Sequence, residues 1–165
     1  GTTPFVQGAL RFARERRAAC IFLACVPREQ VGDDADVSIR VVTGPEVIAG
    51  STRLKAGTAT KLVLNTISTA VFARLGKVHG NLMVDVATGA NQKLLERGRR
   101  LVAELAGVDL ERAAALLAAA DGEVKTAVVM AARGLGAPAA RAALAAVGGS
   151  LRRALQSSRP ASRPG

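Results

Sequence analysis

The stretch GPEVIAGSTRLKAGTATK, Gly44 to Lys61, reads as the end of a strand, a glycine-bearing loop and the start of a long helix. Gly44-Pro45-Glu46 makes a turn. Gly50-Ser51-Thr52-Arg53-Leu54-Lys55 then gathers two hydroxyls and two cations where the helix begins. A helix N-terminus presents backbone N–H groups and the positive end of the helix dipole, and both favour an anion. Ser51 and Thr52 can donate to phosphate oxygens, and Arg53 and Lys55 supply charge. In open α/β sheets, ligands bind outside the carboxyl ends of strands, where this loop falls. Two readings stand on these residues alone: an anion site, and a capped helix start with two solvated cations.

Upstream of the loop, Val37 to Val42 reads as a strand, with Ser38 and Arg40 alternating against apolar residues. Pro27 to Asp36 is a polar, acidic loop. Ala18 to Val26 is a continuous apolar run with β-branched and aromatic members, as in a parallel strand buried on both faces. Phe5, Ala9, Phe12 and Ala13 recur at helical spacing, with Thr3 able to cap and Pro4 suited to the first helical position. The basic run Arg14–Arg17 closes that helix with favourable charge for its dipole.

Downstream, a helix is expected from about Leu54 to Leu75, with Leu62, Val63, Ile67, Ala70, Val71 and Leu75 on one apolar stripe. Gly76 to Gly80 breaks it, and Asn81 to Val86 fits a strand or a loop equally. Ala90 to Ala106 reads as an amphipathic helix with a basic face. After Gly107 only helices are expected. Asp109 caps one running to about Ala120, and Asp121-Gly122 turns into a second, Glu123 to Arg133. Gly134 to Gly136 breaks that helix, Pro138 opens a third ending at Gly148-Gly149, and a last turn or two reaches Gln156. Short helices with tight connections make a small bundle. Ser157 to Gly165, rich in Ser, Arg and Pro, reads as a disordered tail. The strand-bearing part is too short for a complete doubly wound sheet and reads as the second half of one.

Composition narrows the function classes. Only 2% of the 165 residues are aromatic, with four Phe and no Trp or Tyr, so Ala, Leu and Val must fill the core. That favours helices packed closely through small side chains. It also disfavours single-stranded nucleic-acid binding, which needs aromatic platforms for stacking. The net charge of +10 is spread along most of the chain, its densest acid-free run being Arg152 to Arg163. Diffuse charge gives only salt-sensitive, non-specific nucleic-acid affinity, so no nucleic-acid partner is expected. Cys20 and Cys25 lack the spacing of a zinc or redox pair and read as reduced thiols. No apolar run is long enough to span a bilayer, so no membrane partner is expected. The first residues read like an internal position of a chain and carry no targeting information.

The stretch Gly44–Lys61 is similar to the signature shared by bacterial N-acetylmuramic acid 6-phosphate etherases and the vertebrate glucokinase regulatory protein. Both belong to the sugar isomerase (SIS) family of phosphosugar-binding domains. The similarity continues through Lys61-Leu62-Val63-Leu64-Asn65. The run Leu75-Gly76-Lys77-Val78-His79-Gly80-Asn81-Leu82-Met83-Val84-Asp85-Val86 resembles the etherases much more than the regulator. The opening Gly1-Thr2-Thr3-Pro4 resembles the end of the SIS phosphate loop, a Ser-Gly-x-Thr-Pro pattern whose Ser would precede Gly1. Leu116-Leu117 and the turn Asp121-Gly122-Glu123-Val124-Lys125 resemble a ubiquitin-associated (UBA) three-helix bundle, for which a packing role is preferred to ubiquitin-like binding.

The resemblance implies an α/β fold: the C-terminal half of a SIS-type parallel three-layer αβα domain over residues 1–106, a small UBA-like helical subdomain over 107–156, and a tail over 157–165. It implies a cytoplasmic homodimer acting on a sugar-phosphate substrate. The implied reaction cleaves the lactyl ether of N-acetylmuramic acid 6-phosphate by elimination and hydration. Two glutamates would serve as acid and base, with no metal and no cofactor. In the family those glutamates lie ahead of the region matched here, so no catalytic residue is assigned within this chain. Residue by residue, the resemblance assigns substrate binding to Thr3, Gly50, Ser51, Thr52, Arg53 and Lys55. Glu46, the one acid of the signature, reads as an ion-pair partner or loop anchor rather than a base. His79 reads as a loop histidine with ordinary hydrogen bonds, and Lys77 and Asp85 could reach a dimer partner's cleft. The alternative function is a non-catalytic sugar-phosphate-binding regulator like the glucokinase regulatory protein.

Two strands alone would leave unpaired edges and a partly covered Cys20–Val26 run. The isolated chain is therefore expected to aggregate or to be molten in sizing and calorimetry experiments. A monomeric species with a cooperative melting transition would contradict this.

Overall fold

The computed structural model describes residues 3–156. Gly1, Thr2 and the tail over 157–165, with the expectations attached to them, lie outside the described residues. The chain is a mixed helix-and-strand protein, compatible with an α/β fold, and it divides into two compact units, one up to Ser68 and one from Thr69. This division differs from the expected domain limit after residue 106.

In the first unit, α1 (Pro4–Glu15) leads into β1 (Ile21–Ala24), which pairs in parallel with β2 (Val37–Arg40) in the register Ile21↔Val37 to Ala24↔Arg40. The acidic loop between the strands fastens the pair. Asp36 accepts from the Cys20 N–H at 2.7 Å, and Asp33 accepts from the Ser38 hydroxyl at 2.8 Å and pairs with Arg40. Arg40 also lies over the Phe22 ring, and Asp34 pairs with Arg14 of α1. Arg40 and Ser38 hold the Asp33 carboxyl below its usual range, Ser38 contributing most, and Arg14 does the same for Asp34.

β1 departs from the expected double burial. Phe22 and Ala24 are buried, but Ile21 is 52% exposed. A strand is covered on both faces only when layers pack above and below it, and this sheet has two strands among the described residues. Thr3 stands at the N-cap position of α1 but makes no side-chain cap hydrogen bond. Cys20 is buried and Cys25 half-buried, and both are free.

The long helix is α2 (Lys55–Arg74), within a residue of the expected limits. The apolar stripe expected along it is not buried: Leu62, Val71 and Leu75 are exposed, Val63 and Ile67 half-buried, and no residue of α2 is buried.

The second unit has a closed core. After α2, Gly80-Asn81 separates two short antiparallel strands, β3 (Val78–His79) and β4 (Leu82–Met83), so the ambiguous segment from Asn81 is one short strand followed by a loop. Five helices follow: α3 (Gln92–Ala106), α4 (Leu110–Ala119), α5 (Val124–Arg133), α6 (Ala137–Ala145) and α7 (Leu151–Gln156). Asn91 caps α3 by accepting from Leu94 N–H at 2.9 Å, and Asp109 caps α4 from Arg112 N–H at 2.7 Å. Gly107 and Gly134 close α3 and α5 in the left-handed conformation. α5 packs against α3, α4, α6 and α7, and the buried cluster around it is built of Val, Leu and Ala alone.

Small residues let these helices approach closely, and Gly98 of α3 marks one such contact. A Cβ there would lie 2.6 Å from Thr88 Cγ2 and 3.2 Å from Leu117 Cδ2. Thr88 is buried, and its hydroxyl donates to Gly122 O at 2.8 Å, so it has little room to yield. Glycine to alanine within a helix ordinarily gains up to about 1 kcal/mol, whereas overpacking costs about 1–3 kcal/mol. Gly98→Ala should therefore lower the stability of this unit by about 1 kcal/mol in urea titration. Adding Thr88→Ser, which removes the obstructing methyl and keeps the hydroxyl, should restore most of it. An unchanged or raised midpoint for Gly98→Ala alone would refute this packing.

Candidate functional site

The loop between β2 and α2 owes its path to two glycines with left-handed backbone, Gly44 at φ 65° and Gly50 at φ 79°, where other residues are strained. Between them the chain turns tightly, with Ser51 N–H donating to Ile48 O at 3.0 Å and Leu54 N–H to Ser51 O at 3.3 Å. Glu46 then reaches the helix start. Its Oε2 accepts from Lys55 N–H at 2.8 Å and its Oε1 from Ala56 N–H at 3.0 Å. The next two amides are also engaged, Gly57 N–H by Thr52 O at 2.9 Å and Thr58 N–H by Leu54 O at 3.0 Å.

This changes the electrostatic reading of the helix start. The anion at the N-terminus of α2 is the protein's own Glu46 carboxylate. An incoming phosphate would find these four amides occupied, so the capacity of the site lies in side chains. Among the described residues, Ser51, Thr52 and Arg53 make no side-chain hydrogen bond or ion pair; Ser51 is half-buried, and Thr52, Arg53 and Lys55 are exposed. The Lys55 ammonium lies 4.0 Å from where a Gly44 Cβ would stand, and so folds back over the turn. β1 runs toward the same place: Cys25, just past its carboxyl end, meets Ala56 O and the Thr60 hydroxyl, each at 3.5 Å. The structure thus gathers Gly50, Ser51, Thr52, Arg53 and Lys55 on one turn. Thr3 heads α1, and no hydrogen bond or ion pair joins it to that turn among the described residues.

Glu46 is a loop anchor, as its position suggested. The Ala56 N–H, and after it the Lys55 N–H, hold its carboxyl below the ordinary value of 4.5. A general base working near neutrality needs the opposite shift. Lys77 and Asp85 pair with each other at 3.2 Å, and Lys125 approaches the other Asp85 oxygen at 3.9 Å. His79 lies on β3 rather than in a loop. Its Nδ1 is buried without a hydrogen-bond partner among the described residues, contrary to the ordinary bonding expected of it.

One feature of the second unit had no signal in local sequence. A cleft of about 490 Å³ is lined by the loop over 84–89, the turn over 121–126 and Arg141. Arg141 donates to Asp121 at 2.6 Å and to Glu123 at 2.9 Å. The Asp121-Gly122 turn was readable, but its partner Arg141 is a helix away in sequence. Among the described residues no group of three metal-ligating side chains is present, and no helix is long and apolar enough to cross a membrane.

The fold and the loop together define a mixed α/β chain with a hydroxyl- and cation-bearing turn at a helix start in its first unit and a compact helical bundle in its second. In sequence, the chain is similar over nearly its whole length to proteins named N-acetylmuramic acid 6-phosphate etherase. The one from Synechococcus sp. (strain CC9605) is 55% identical over 155 residues, 94% of this chain and 49% of that relative. The one from Synechocystis sp. is 52% identical over 155 residues, 94% of this chain and 50% of the relative. The one from Nostoc punctiforme is 58% identical over 130 residues, 79% of this chain and 42% of the relative. The chain spans about half the length of the curated relatives it matches. No family model matches it. The resemblance read from Gly44–Lys61 and Leu75–Val86 thus extends along nearly the entire sequence.

The Glu46 bonds set a pH dependence. A carboxyl whose folded value is lowered contributes stability that is present above its unfolded value, near 4.5, and lost as pH falls through the lower folded value. On acidification below about 4.5, the protection of the Lys55 and Ala56 amides relative to their intrinsic exchange rates should fall before the rest of α2 frays. In Glu46→Gln both amides should exchange faster at neutral pH, with that pH dependence gone. Unchanged protection in Glu46→Gln would rule out the cap.

Proposed function

We propose that this chain forms the C-terminal half of an N-acetylmuramic acid 6-phosphate etherase, a carbon–oxygen lyase. The observation that carries the reading is identity of 49–58% with proteins of that name, reaching along 94–95% of the chain in several of them. The proposed reaction eliminates D-lactate from N-acetylmuramic acid 6-phosphate and adds water across the resulting double bond. It gives N-acetylglucosamine 6-phosphate and D-lactate in cell-wall recycling.

The side chains available at the start of α2 suit a sugar phosphate. Ser51 and Thr52 offer hydroxyl donors, Arg53 a planar fork that matches two phosphate oxygens, and Lys55 a compact charge. Gly50 gives the turn its shape, and Thr3 belongs to a separate phosphate-loop remnant at the head of α1. Glu46 is engaged by two amides and held ionised, so it is not the acid or the base. Those roles fall to two glutamates in the part of the relatives that this chain does not match. One would protonate the departing lactyl oxygen and the other remove the ring proton. No metal or cofactor enters this scheme. Residues 1–106 would complete a SIS domain with that other half, and 107–156 would be the UBA-like subdomain, acting in packing. The assembled protein would be a cytoplasmic homodimer without membrane or nucleic-acid partners.

The test joins this chain to the unmatched half of the Synechocystis relative and measures D-lactate released from N-acetylmuramic acid 6-phosphate. Release is expected. A charge-assisted phosphate contact contributes about 1.5–3 kcal/mol, so Arg53→Ala should raise KM by about tenfold or more, with a smaller change in kcat. A folded chimera that binds the substrate and releases no lactate would overturn the reading. An unchanged KM in both Arg53→Ala and Lys55→Ala would remove these residues from the phosphate site.

A further inference from the structure

Gly76 follows α2 with φ 72°, and a Cβ on it would meet Gly149 O and Ser150 Cα at 3.2 Å each. Glycine at this position lets the end of α2 approach the segment that opens α7. The approach brings Arg74, the last residue of α2, to the same pocket as Arg152 and Arg153 of α7. The pocket measures about 500 Å³ and is completed by small residues, among them Gly80, Gly148 and Ser150.

Its charge is one-sided. No Asp or Glu lines the pocket, and among the described residues Arg74, Arg152 and Arg153 enter no ion pair. Elsewhere the arginines that fasten the fold meet carboxylates: Arg14 with Asp34, Arg40 with Asp33, Arg99 and Arg100 with Glu96, Arg141 with Asp121 and Glu123. Like charges directed into one concavity repel, and a bound anion relieves the repulsion while gaining charge-assisted hydrogen bonds. The guanidinium fork matches phosphate geometry. The volume suits a small phosphate ester, since ligand pockets run to about 300–1,000 Å³. No aromatic residue lines the pocket to stack a base, which favours a compact phosphate over a nucleic acid.

We propose that Arg74, Arg152 and Arg153 form a second anion site, which binds a small phosphate-bearing ligand separately from the loop at Ser51–Lys55. Arg74 ends α2 whereas Lys55 begins it, and the two sites share no residue. The second site does not rest on the etherase reading.

The experiment uses this chain joined to the unmatched half of the Synechocystis relative, as in the lactate assay, with glucose 6-phosphate and inorganic phosphate as probes in equilibrium dialysis. Saturable binding is expected, with one equivalent lost, or weakened by about tenfold or more, in Arg74→Ala and in the double variant Arg152→Ala/Arg153→Ala. That equivalent should persist in Arg53→Ala/Lys55→Ala and in Arg112→Ala, which removes one charge elsewhere. Arginine modification by phenylglyoxal, read by mass spectrometry on the unsubstituted chain, needs no variant to fold. Glucose 6-phosphate should slow modification at Arg74, Arg152 and Arg153 and leave Arg112 unaffected. Stronger protection by glucose 6-phosphate than by inorganic phosphate identifies a sugar phosphate, and equal protection identifies the free anion. Protection absent or equal at all four arginines overturns the site. So does displacement of glucose 6-phosphate from these arginines by a single-stranded oligonucleotide at comparable phosphate concentration, which would mark a polyanion surface.

Discussion

Two hydrogen bonds from the first amides of α2 to the carboxylate of Glu46 fix where the long helix begins, and the loop before it depends on them. A helix start leaves its first N–H groups without partners inside the helix, so something must accept from them. Here a residue nine positions upstream does so, which closes the loop back on the helix and sets Ser51, Thr52, Arg53 and Lys55 on its outer turn. The same bonds fill the position that the helix dipole would otherwise offer to a phosphate. The loop can therefore recognise an anion through hydroxyls and cations, but not through these amides, and its one acid is spent on structure rather than chemistry.

The two units satisfy burial differently. In the second, Val, Leu and Ala close a core around α5, and the scarcity of aromatic residues is answered by close helix approach at Gly98 and Gly76. In the first, neither α1 nor α2 buries a residue, and Phe5, Phe12 and Ile21 stay exposed. Among the described residues it buries Cys20, Phe22 and Ala24, and polar contacts fasten the loop between its strands. Three aspartates of the loop between the strands each take a partner, on Cys20, Ser38, Arg40 or Arg14. Exposed ion pairs contribute little to stability individually. The pairing of Arg40 with an Asp33 side chain only 2% exposed is the better protected of them.

Charge follows the same division of labour. With 23 Lys and Arg against 13 Asp and Glu, carboxylates cannot neutralise every cation. Those present fasten turns: Asp121 and Glu123 on Arg141, Asp85 between Lys77 and Lys125, Glu96 on two arginines of α3. The surplus includes Arg53 on the loop and Arg74, Arg152 and Arg153 in the pocket beside Gly76, which enter no ion pair among the described residues.

The sequence by itself determined much of the local structure. Pro4, Asp109 and the glycines after α3 and α5 bound helices through backbone chemistry that needs no distant partner. The runs Ala18–Val26 and Val37–Val42 announce strands by their side chains, and Gly44–Lys61 with Leu75–Val86 carried the resemblance that the relatives extend along the chain. Only the tertiary structure decided which faces are buried and which charges meet. The periodic stripe on α2 was visible, but periodicity does not say whether a neighbouring layer exists to cover it. The Arg141 pairs and the convergence of three arginines join residues far apart in sequence. Such contacts follow from the packing of whole elements, set by burial and close approach, and spacing along a chain does not encode them locally.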